Sequence, residues 1–387
     1  MIFTVLLSVS LVGLFSSTIY LILTAEGARR FVKRPRAYGH HQKVQLPALA
    51  ILKPVHGLEP RLRENLESFF LQDYPDFELI FGAREMNDPA LKVVEDLRRK
   101  YPDVKTKVLF SGRPEYPNAK VFTLEKMIEQ TAADYLVITD SDTYITPDCM
   151  REVVTPLLDR RNGLVTCLYK GIPAGGFWSR LEALGMSVEL PSGVLVASIF
   201  ETMRFALGPI MATRRDVIES IGGISAVADY HADDYKLGNL THGLGKNVIL
   251  SRYICGHVAM NTSIRMSIAH QTRWMRSTRF SRSAGHVGTG LTYAMPFGIL
   301  GMIAGWIGHK WQVGAALLVW AVLNRVLEAI IVGWKVIGDR EALTSAWLYP
   351  ARDLLGFFIW CGSFMGDEMI WRNERYRFVT DGKIVRL

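Results

Sequence analysis

Two aspartates stand one residue apart where an apolar stretch of the sequence ends. In "YLVITDSDTY", Asp140 and Asp142 directly follow apolar and β-branched residues that are typical of a buried strand. Both carboxylates can reach one hard cation, because Mg²⁺ and Mn²⁺ prefer oxygen ligands and usually keep coordination positions for substrate phosphates. The spacing predicts a metal site at Asp140 and Asp142. The alternative is that Asp142 only starts a turn.

Two more acidic segments contain candidate functional residues. Asp88 in "NDPA" follows a second predicted strand, where it either meets a nucleotide or caps the helix that begins at Pro89. Asp233 and Asp234 in "ADDY" stand before a helical pattern, whose dipole stabilises acidic groups. An ionised aspartate beside a bound sugar could instead accept a proton from an acceptor hydroxyl.

A basic helix face is predicted in "HQTRWMRSTRFSR", beside Trp274. Its arginines recur at three-residue spacing and share one side of a helix: Arg273, Arg276, Arg279 and Arg282. Such a face is typical either of a helix on a membrane surface or of a clamp for a diphosphate.

The elements that must position these residues alternate between strand and helix patterns. Predicted strands at "LPALAILKP", "ELIFGA", "KTKVLF", 134–139 and "GLVTCLY" are separated by helices at about 59–72, 88–100, 118–131 and 147–159. This alternation predicts an α/β fold with a mainly parallel sheet and helices on both faces. Ligands of such sheets bind beyond the carboxyl ends of the strands, where Asp140 and Asp142 stand.

Membrane segments are predicted at both ends of the 387 residues. Residues 2–25 carry no charge and are long enough to span a bilayer as a helix, with a cleaved signal peptide as the alternative. The basic cluster that follows predicts a cytoplasmic location for the next domain. After residue 286 come two long apolar stretches, a shorter one at 354–366 and a basic tail. We therefore expect an anchor and basic flank at 1–36, a catalytic domain at 46–285 and a membrane-embedded region at 286–387.

Charge and cysteine content narrow the class of protein. The net charge of +8 is concentrated next to the apolar stretches, which favours contact with a membrane surface over nucleic acid. The four cysteines form no CxxC pair, so neither a zinc site nor a disulfide framework is indicated.

The order of motifs resembles a known family. "ILKPVHGLEPRLRENLESFFLQDYP", "NDPA", "NAK", "TDSD", "ADDY" and "RW" are similar to ceramide glucosyltransferases and their bacterial relatives, including hopanoid-glycosylating enzymes. These are inverting glycosyltransferases of GT-A fold. The resemblance covers about residues 47–285, and "GLVTCLYKGIPAGGFWSRLEALG" is most similar to the bacterial branch.

The resemblance implies a role for each matching residue. Asp234 takes the position of the family's catalytic base, and Asp140 with Asp142 that of its metal-binding pair. His270 occupies the first position of the (Arg/Gln)xxRW motif, which departs from the family pattern. The residues expected to bind the nucleotide sugar are Lys53, Asp88, Asn118, Lys120, Asp140, Asp233, His270, Arg273 and Trp274.

The function implied is transfer of a sugar, glucose from UDP-glucose in the first instance, onto the hydroxyl of a membrane lipid with the help of Mg²⁺ or Mn²⁺. The acceptor is expected to be ceramide, with a hopanoid polyol receiving N-acetylglucosamine or a diacylglycerol as alternatives. Two further functions stay open, a processive polysaccharide synthase and a non-catalytic membrane scaffold. The expected location is the bacterial inner membrane, with the catalytic domain in the cytoplasm.

Overall fold

The computed structural model describes residues 1–37, 45–372 and 374–387, which form two compact units. The helical unit comprises Met1–Lys33, Gly175–Phe200 and Asn261–Met369. The sheet unit comprises Arg34–Ala174, Glu201–Met260 and Ile370–Leu387. The catalytic domain expected over 46–285 stays a prediction, and two segments of that range, Gly175–Phe200 and 261–285, belong to the helical unit.

The sheet unit is built on an eight-stranded, mostly parallel sheet. Its spatial order is β3-β2-β1-β4-β7-β6-β8-β5. The strands are β1 Leu49–Pro54, β2 Phe77–Ala83, β3 Lys105–Phe110, β4 Tyr135–Thr139, β5 Thr143–Tyr144, β6 Asn162–Pro173, β7 Ile210–Arg214 and β8 Asn247–Ala259. β1 and β4 are buried along their whole length, as expected of parallel strands that helices cover on both faces.

Parallel pairing joins β3, β2, β1 and β4, and also β6 and β8. β7 runs antiparallel between β4 and β6, and β5 pairs antiparallel with β8. The helices of this unit are α2 Leu62–Phe70, α3 Ala90–Lys100, α4 Ala119–Glu129, α5 Cys149–Val154, α7 Arg215–Ser220 and α8 Asp233–Gly243. The predicted α/β class with a mainly parallel sheet is therefore confirmed.

The C-terminal tail, Ile370–Leu387, belongs to the sheet unit. It contains most of a small three-stranded sheet, β9 Glu368–Trp371, β10 Glu374–Phe378 and β11 Ile384–Arg386. Tyr376 and Phe378 of β10 are buried, so this tail is packed rather than extended into solvent.

The helical unit contains α1 Ile2–Lys33, α6 Gly176–Phe200, α9 Ile264–Ser281, α10 Ser283–Thr289, α11 Met295–Ile307, α12 Trp311–Glu328, α13 Arg340–Thr344 and α14 Tyr349–Ser363. A π-helical segment, Ala329–Val336, continues α12. Among the described residues, three helices are long and apolar enough to cross a membrane: Ile2–Lys33, Gly176–Phe200 and Trp311–Val336.

Two of these assignments differ from the sequence prediction. The uncharged stretch after residue 286 was expected to span the membrane, but it is divided into α10 and α11, and α11 has only 13 residues. The sequence analysis did not predict the long apolar helix α6. Its acidic residues and the internal Pro191 interrupt the apolar pattern by which spans are recognised.

Candidate active site

Lys120 joins three of the predicted motifs. Its Nζ lies 2.8 Å from Oδ1 of Asp140 and 3.2 Å from Oδ2 of Asp233. Asp140 directly follows the end of β4, Lys120 stands in the first turn of α4, and Asp233 begins α8. Burial opposes the charged lysine, but the charges of Asp140 and Asp233 raise the pKa of Lys120 above its ordinary value. The lysine is therefore a permanent cation between two carboxylates.

Asn118 sets the position of this lysine. Its side-chain oxygen accepts hydrogen bonds from the backbone N–H groups of Lys120 and Val121, at 3.0 and 3.3 Å, and so caps α4. Its amide nitrogen donates to the carbonyl of Tyr230 at 2.8 Å. Asn118 is fully buried and these contacts are structural. Its expected contact with a nucleotide sugar stays a prediction.

Asp234 shares a small space with Asp140. A carbon atom added as a side chain at Gly208 would lie 3.1 Å from Oδ2 of Asp140 and 3.3 Å from Oδ2 of Asp234. The absence of a side chain at Gly208 therefore leaves both carboxylates facing the same region. Burial, together with the charge of Asp233, raises the pKa of Asp234 to about 7. A carboxyl of that pKa is suited to exchange a proton near neutral pH.

Asp142 has two acidic or basic neighbours that the sequence analysis did not identify. Nδ1 of His257 lies 3.3 Å from Oδ1 of Asp142, and the hydroxyl of Ser141 donates to Glu59 at 2.6 Å. Burial, reinforced by the charge of Asp142, raises the pKa of Glu59 to about 7. Burial disfavours the charged ring of His257, but the charge of Asp142 raises its pKa. His257 lies near the carboxyl end of β8, a position that could have marked it as a candidate.

Lys53 was expected near the nucleotide but is fully buried beneath the site. Its Nζ donates to the main-chain carbonyl of Asp140 at 2.6 Å and lies 3.6 Å from the ring centroid of Phe69. Burial lowers the pKa of Lys53 to about 7, although the negative charges of Asp142 and Asp140 act to raise it. Its visible contact fixes the end of β4, and its role toward the nucleotide stays a prediction.

The oxygen donors fit a divalent cation only in part. Within the part of the chain that the structure describes, no group of three or more His, Cys, Asp or Glu residues is arranged to hold a metal ion. Asp140 is paired with Lys120, and Asp142 lies against His257. Carboxylates nevertheless outnumber the cations here, and their mutual repulsion contributes to the raised pKa of Glu59. A hard cation on Asp140 and Asp142 would relieve this excess of negative charge.

Asp88 lies beside a pocket that is open to solvent and that its neighbour His56 lines. Its Oδ1 accepts from the N–H groups of Gly57 and Ala90, both at 2.9 Å, so it caps the entry to α3. His56, 3.3 Å from Asp88, lines the pocket. Other lining residues follow the carboxyl ends of the first three strands or belong to the tail: Val55, Arg84, Ser111, Gly112, Trp371, Arg372, Glu374 and Tyr376. This is the edge of the sheet at which ligands of α/β proteins bind.

His270, Arg273 and Trp274 lie on α9 of the helical unit. Nδ1 of His270 is 2.8 Å from Oε1 of Glu182, and its ring centroid is 4.3 Å from that of Trp274. Glu182 is buried and also accepts hydrogen bonds from Ser267 and from Asn261, among others. The structure thus fixes one nitrogen of His270, and the expected contact of these three residues with a nucleotide sugar stays a prediction.

The other predicted arginines of α9 have structural partners. Arg276 donates to the main-chain carbonyls of Met365 and Glu368, and Arg279 to those of Ser363 and Gly366. The carbonyls of Ser363, Met365 and Gly366 stand at or just beyond the end of α14, where cations are favoured by the helix dipole, whereas Glu368 begins β9. Neither arginine therefore needs a diphosphate to account for its position.

Comparison with known proteins identifies the family. A family model described as "Glycosyl transferase family 21" matches residues 5–384. The chain belongs to glycosyl transferase family 21. This membership confirms the predicted family resemblance and the predicted class of enzyme, a glycosyltransferase.

Relatives of this family 21 protein include ceramide glucosyltransferase 1 of Caenorhabditis elegans. It is 24% identical over 361 residues, which cover 90% of the present chain and 76% of that relative. A ceramide glucosyltransferase of Komagataella phaffii is 36% identical over 117 residues, or 29% of this chain and 23% of the relative.

The family 21 fold is similar to that of a solved mannosyltransferase. The structure of PcManGT from Pyrobaculum calidifontis, in complex with GDP-Man and Mn²⁺, gives a TM-score of 0.52 at 17% identity, covering 91% of this chain and 99% of that one. At this identity the likeness establishes the fold alone.

Proposed function

We propose that this protein is a membrane-bound, inverting glycosyltransferase that moves glucose from UDP-glucose onto the hydroxyl group of a ceramide-like lipid. The observation that carries the proposal is the convergence of Asp140, Asp233 and Asp234 around Lys120 and Gly208. Three motifs that are far apart in the chain thereby place a candidate metal ligand and a candidate base in one region.

The donor is assigned to the carboxyl edge of the sheet. The nucleoside would enter the pocket beside Asp88, and its diphosphate would extend toward Asp140 and Asp142. Those two aspartates would hold a divalent cation, Mg²⁺ or Mn²⁺, which would neutralise charge on the departing diphosphate. The Mn²⁺ in the mannosyltransferase of similar fold is consistent with such a use of metal. Lys120 adds a fixed positive charge next to Asp140.

Asp234 would act as the base. Its carboxylate accepts the proton of the lipid hydroxyl as the hydroxyl oxygen attacks the anomeric carbon. The new bond joins that oxygen to the anomeric carbon, and the bond from the anomeric carbon to the diphosphate oxygen breaks on the opposite face. UDP leaves with the bonding electron pair, and one displacement inverts the configuration. The pKa of about 7 lets Asp234 be ionised before the step and protonated after it.

A lipid acceptor accounts for the apolar helices. Removing an acyl chain from a bilayer costs about 0.8 kcal/mol per CH₂ group, so the enzyme must work at the membrane surface. The three long apolar helices provide the anchorage. The names of the relatives, ceramide glucosyltransferases, support ceramide as acceptor and glucose as the sugar. We assign the protein to the bacterial inner membrane with the sheet unit in the cytoplasm, where nucleotide sugars are available.

Radiolabel transfer by the purified full chain in detergent micelles tests this proposal. UDP-glucose and UDP-N-acetylglucosamine are each paired with ceramide, diacylglycerol and a hopanoid polyol, with and without EDTA. We expect EDTA-sensitive transfer of glucose to ceramide. Transfer to another lipid would correct the acceptor. Absence of transfer to any lipid, in protein that still binds UDP-glucose, would contradict the lipid assignment and favour a polysaccharide product.

A further inference from the structure

We propose that the C-terminal tail, in its described residues 370–372 and 374–387, is part of the donor site and that Arg372 binds the diphosphate of the nucleotide sugar. This inference rests on the proposed function and adds to it a residue that the sequence motifs do not indicate. Its basis is the pocket beside Asp88, one wall of which is formed by Trp371, Arg372, Glu374 and Tyr376.

The tail is held at this pocket by specific contacts. Glu374 lies 3.4 Å from Arg84, the residue after β2, and also pairs with Arg386 at 2.9 Å. The hydroxyl of Tyr376 donates to the same carboxylate at 2.7 Å. Glu374 therefore joins both walls of the pocket, and its own negative charge is already neutralised by two arginines.

A second set of contacts joins the tail to the segment that leads into the catalytic motif. The backbone N–H of Ile384 donates to the carbonyl of Asp229 at 2.7 Å, and Lys383 forms an isolated bridge with Tyr230. The ring of His231 lies 5.1 Å from Trp371 and 5.5 Å from Phe378. Asp233 and Asp234 follow His231 by two and three residues, so the tail and the candidate base contact one short segment.

Arg372 is placed by an unusual backbone conformation. Its φ is 50°, in the left-handed region that residues with a side chain seldom occupy. Such conformations persist where the surrounding structure holds them, and they concentrate at ligand sites. Arg372 is exposed and lines the pocket, and its positive charge acts to lower the pKa of Glu59, against the effect of burial. Arg372 is thus a cation at the pocket proposed for the nucleoside, and its charge also acts on the acidic cluster proposed for the metal.

A diphosphate is the ligand that this position fits. Guanidinium groups bind phosphate oxygens with two parallel hydrogen bonds, and a diphosphate must cross from the pocket beside Asp88 to Asp140 and Asp142. Trp371, next to Arg372, presents an aromatic ring at the same wall. The ligand class is therefore a nucleoside diphosphate, and the charge on its phosphates is what Arg372 recognises.

Binding of UDP and of uridine to the full chain in micelles, measured by titration calorimetry with Mg²⁺ present, tests this role. In Arg372→Ala we expect the dissociation constant for UDP to rise about tenfold or more, because a charge-assisted contact is lost. The constant for uridine, which has no phosphate, should change less than about twofold. Arg372→Lys should recover part of the affinity for UDP.

The matched control is Arg377→Ala, which removes the same charge from an exposed position on β10 that does not line the pocket. Its UDP affinity should equal that of the unaltered protein. Equal UDP affinity in Arg372→Ala and the unaltered protein would overturn the inference. An equal loss for UDP and uridine would do so too, because it would show a change in pocket shape rather than a lost phosphate contact. If the unaltered protein itself binds no UDP, the proposed function fails first.

Discussion

Both units of this protein bury charged side chains, but they do so in different ways. In the helical unit, Arg325 lies 2.6 Å from Glu328 and 3.2 Å from Asp353, with side-chain exposures of 3%, 1% and 2%. Asp353 also accepts from the N–H groups of Ala294 and Met295. The three side chains are almost inaccessible to solvent and opposite charges face one another, so we call this group the closed network.

The cluster in the sheet unit is open and contains too many acids. Asp140 keeps 29% of its side chain exposed although it contacts Lys120, and Gly208 leaves room in front of it. The pKa values of Glu59 and Asp234 are raised to about 7, with burial as the main cause and a neighbouring carboxylate as the second. Raised pKa values and an excess of acids in an accessible cluster are typical of functional sites.

The difference teaches that burial of charge does not by itself identify a functional site. Exposure separates the two regions: the closed network has almost no access to solvent, whereas the open cluster is accessible to a cation and a substrate. Variants in each region should consequently affect different measurements.

The largest expected effect is on catalysis at Asp234. Asp234→Asn preserves the shape of the side chain but removes its ability to accept a proton, so transfer should fall by about 10²–10⁴-fold. Affinity for UDP-glucose should be retained, since the proposed donor contacts lie elsewhere. Transfer rates and calorimetric titration of the same preparation measure the two quantities. Asp159→Asn, at a half-buried residue that pairs with Arg161 away from the candidate site, is the matched control and should be fully active. Substantial turnover by Asp234→Asn would remove this residue from the role of base.

Substitutions in the closed network should instead change the stability of the protein. Arg325→Met leaves Glu328 and Asp353 buried without their cation, which should lower the free energy of unfolding by about 3–5 kcal/mol. Thermal unfolding in micelles measures the loss, and the protein that remains folded should bind UDP with unchanged affinity. Adding Glu328→Gln to Arg325→Met should recover part of the stability, because one uncompensated charge is removed. A change in UDP affinity without a change in stability would give this network a functional role.

A smaller effect is expected at the metal pair. Asp140→Asn should weaken binding of UDP-glucose about 10–100-fold in the presence of Mg²⁺ or Mn²⁺, because a ligand of the cation is lost. EDTA should weaken binding by the unaltered protein and have little further effect on the variant. Titrations with and without EDTA provide the comparison. If Asp140→Asn binds the donor normally, the proposed metal site is not at this residue.

The sequence predicted the parallel part of the sheet well. "KTKVLF" coincides with β3, and the predicted strands at β1, β2 and β4 lie within a few residues of the observed ones. For β1 and β4 the local pattern suffices because strands covered on both faces are largely apolar. It failed for α6, where Glu182, Glu189 and Pro191 interrupt an apolar helix. Their effect depends on partners such as His270 and Arg352, which lie far away in the chain.

Residues of the candidate site could be predicted where a local motif contains residue types suited to catalysis or to metal binding. Asp140, Asp233 and Lys120 were identified from separate motifs, and the structure brings them together. Glu59 and His257 were missed because an isolated acid or histidine has no local signal. Their proximity to Ser141 and Asp142 is created by the sheet. The tail was missed for the same reason, since its pocket exists only after folding.

The pH dependence of transfer offers the finest test of the contrast between the two regions. Because the reaction needs the carboxylate of Asp234, whose pKa is raised to about 7, kcat/KM should fall about tenfold per pH unit below pH 7 and level off above it. With a carboxyl of the ordinary pKa of about 4, kcat/KM would not change between pH 5 and pH 8.

The stability of the folded protein should change with pH in the opposite direction. The folded state holds this proton more tightly than the unfolded chain, so the contribution of Asp234 to stability declines as pH rises from about 4 to 7. Asp234→Asn should remove that component of the unfolding profile, whereas Arg325→Met should leave it in place. A rate profile that is flat down to pH 5 would show that the proton acceptor is another group.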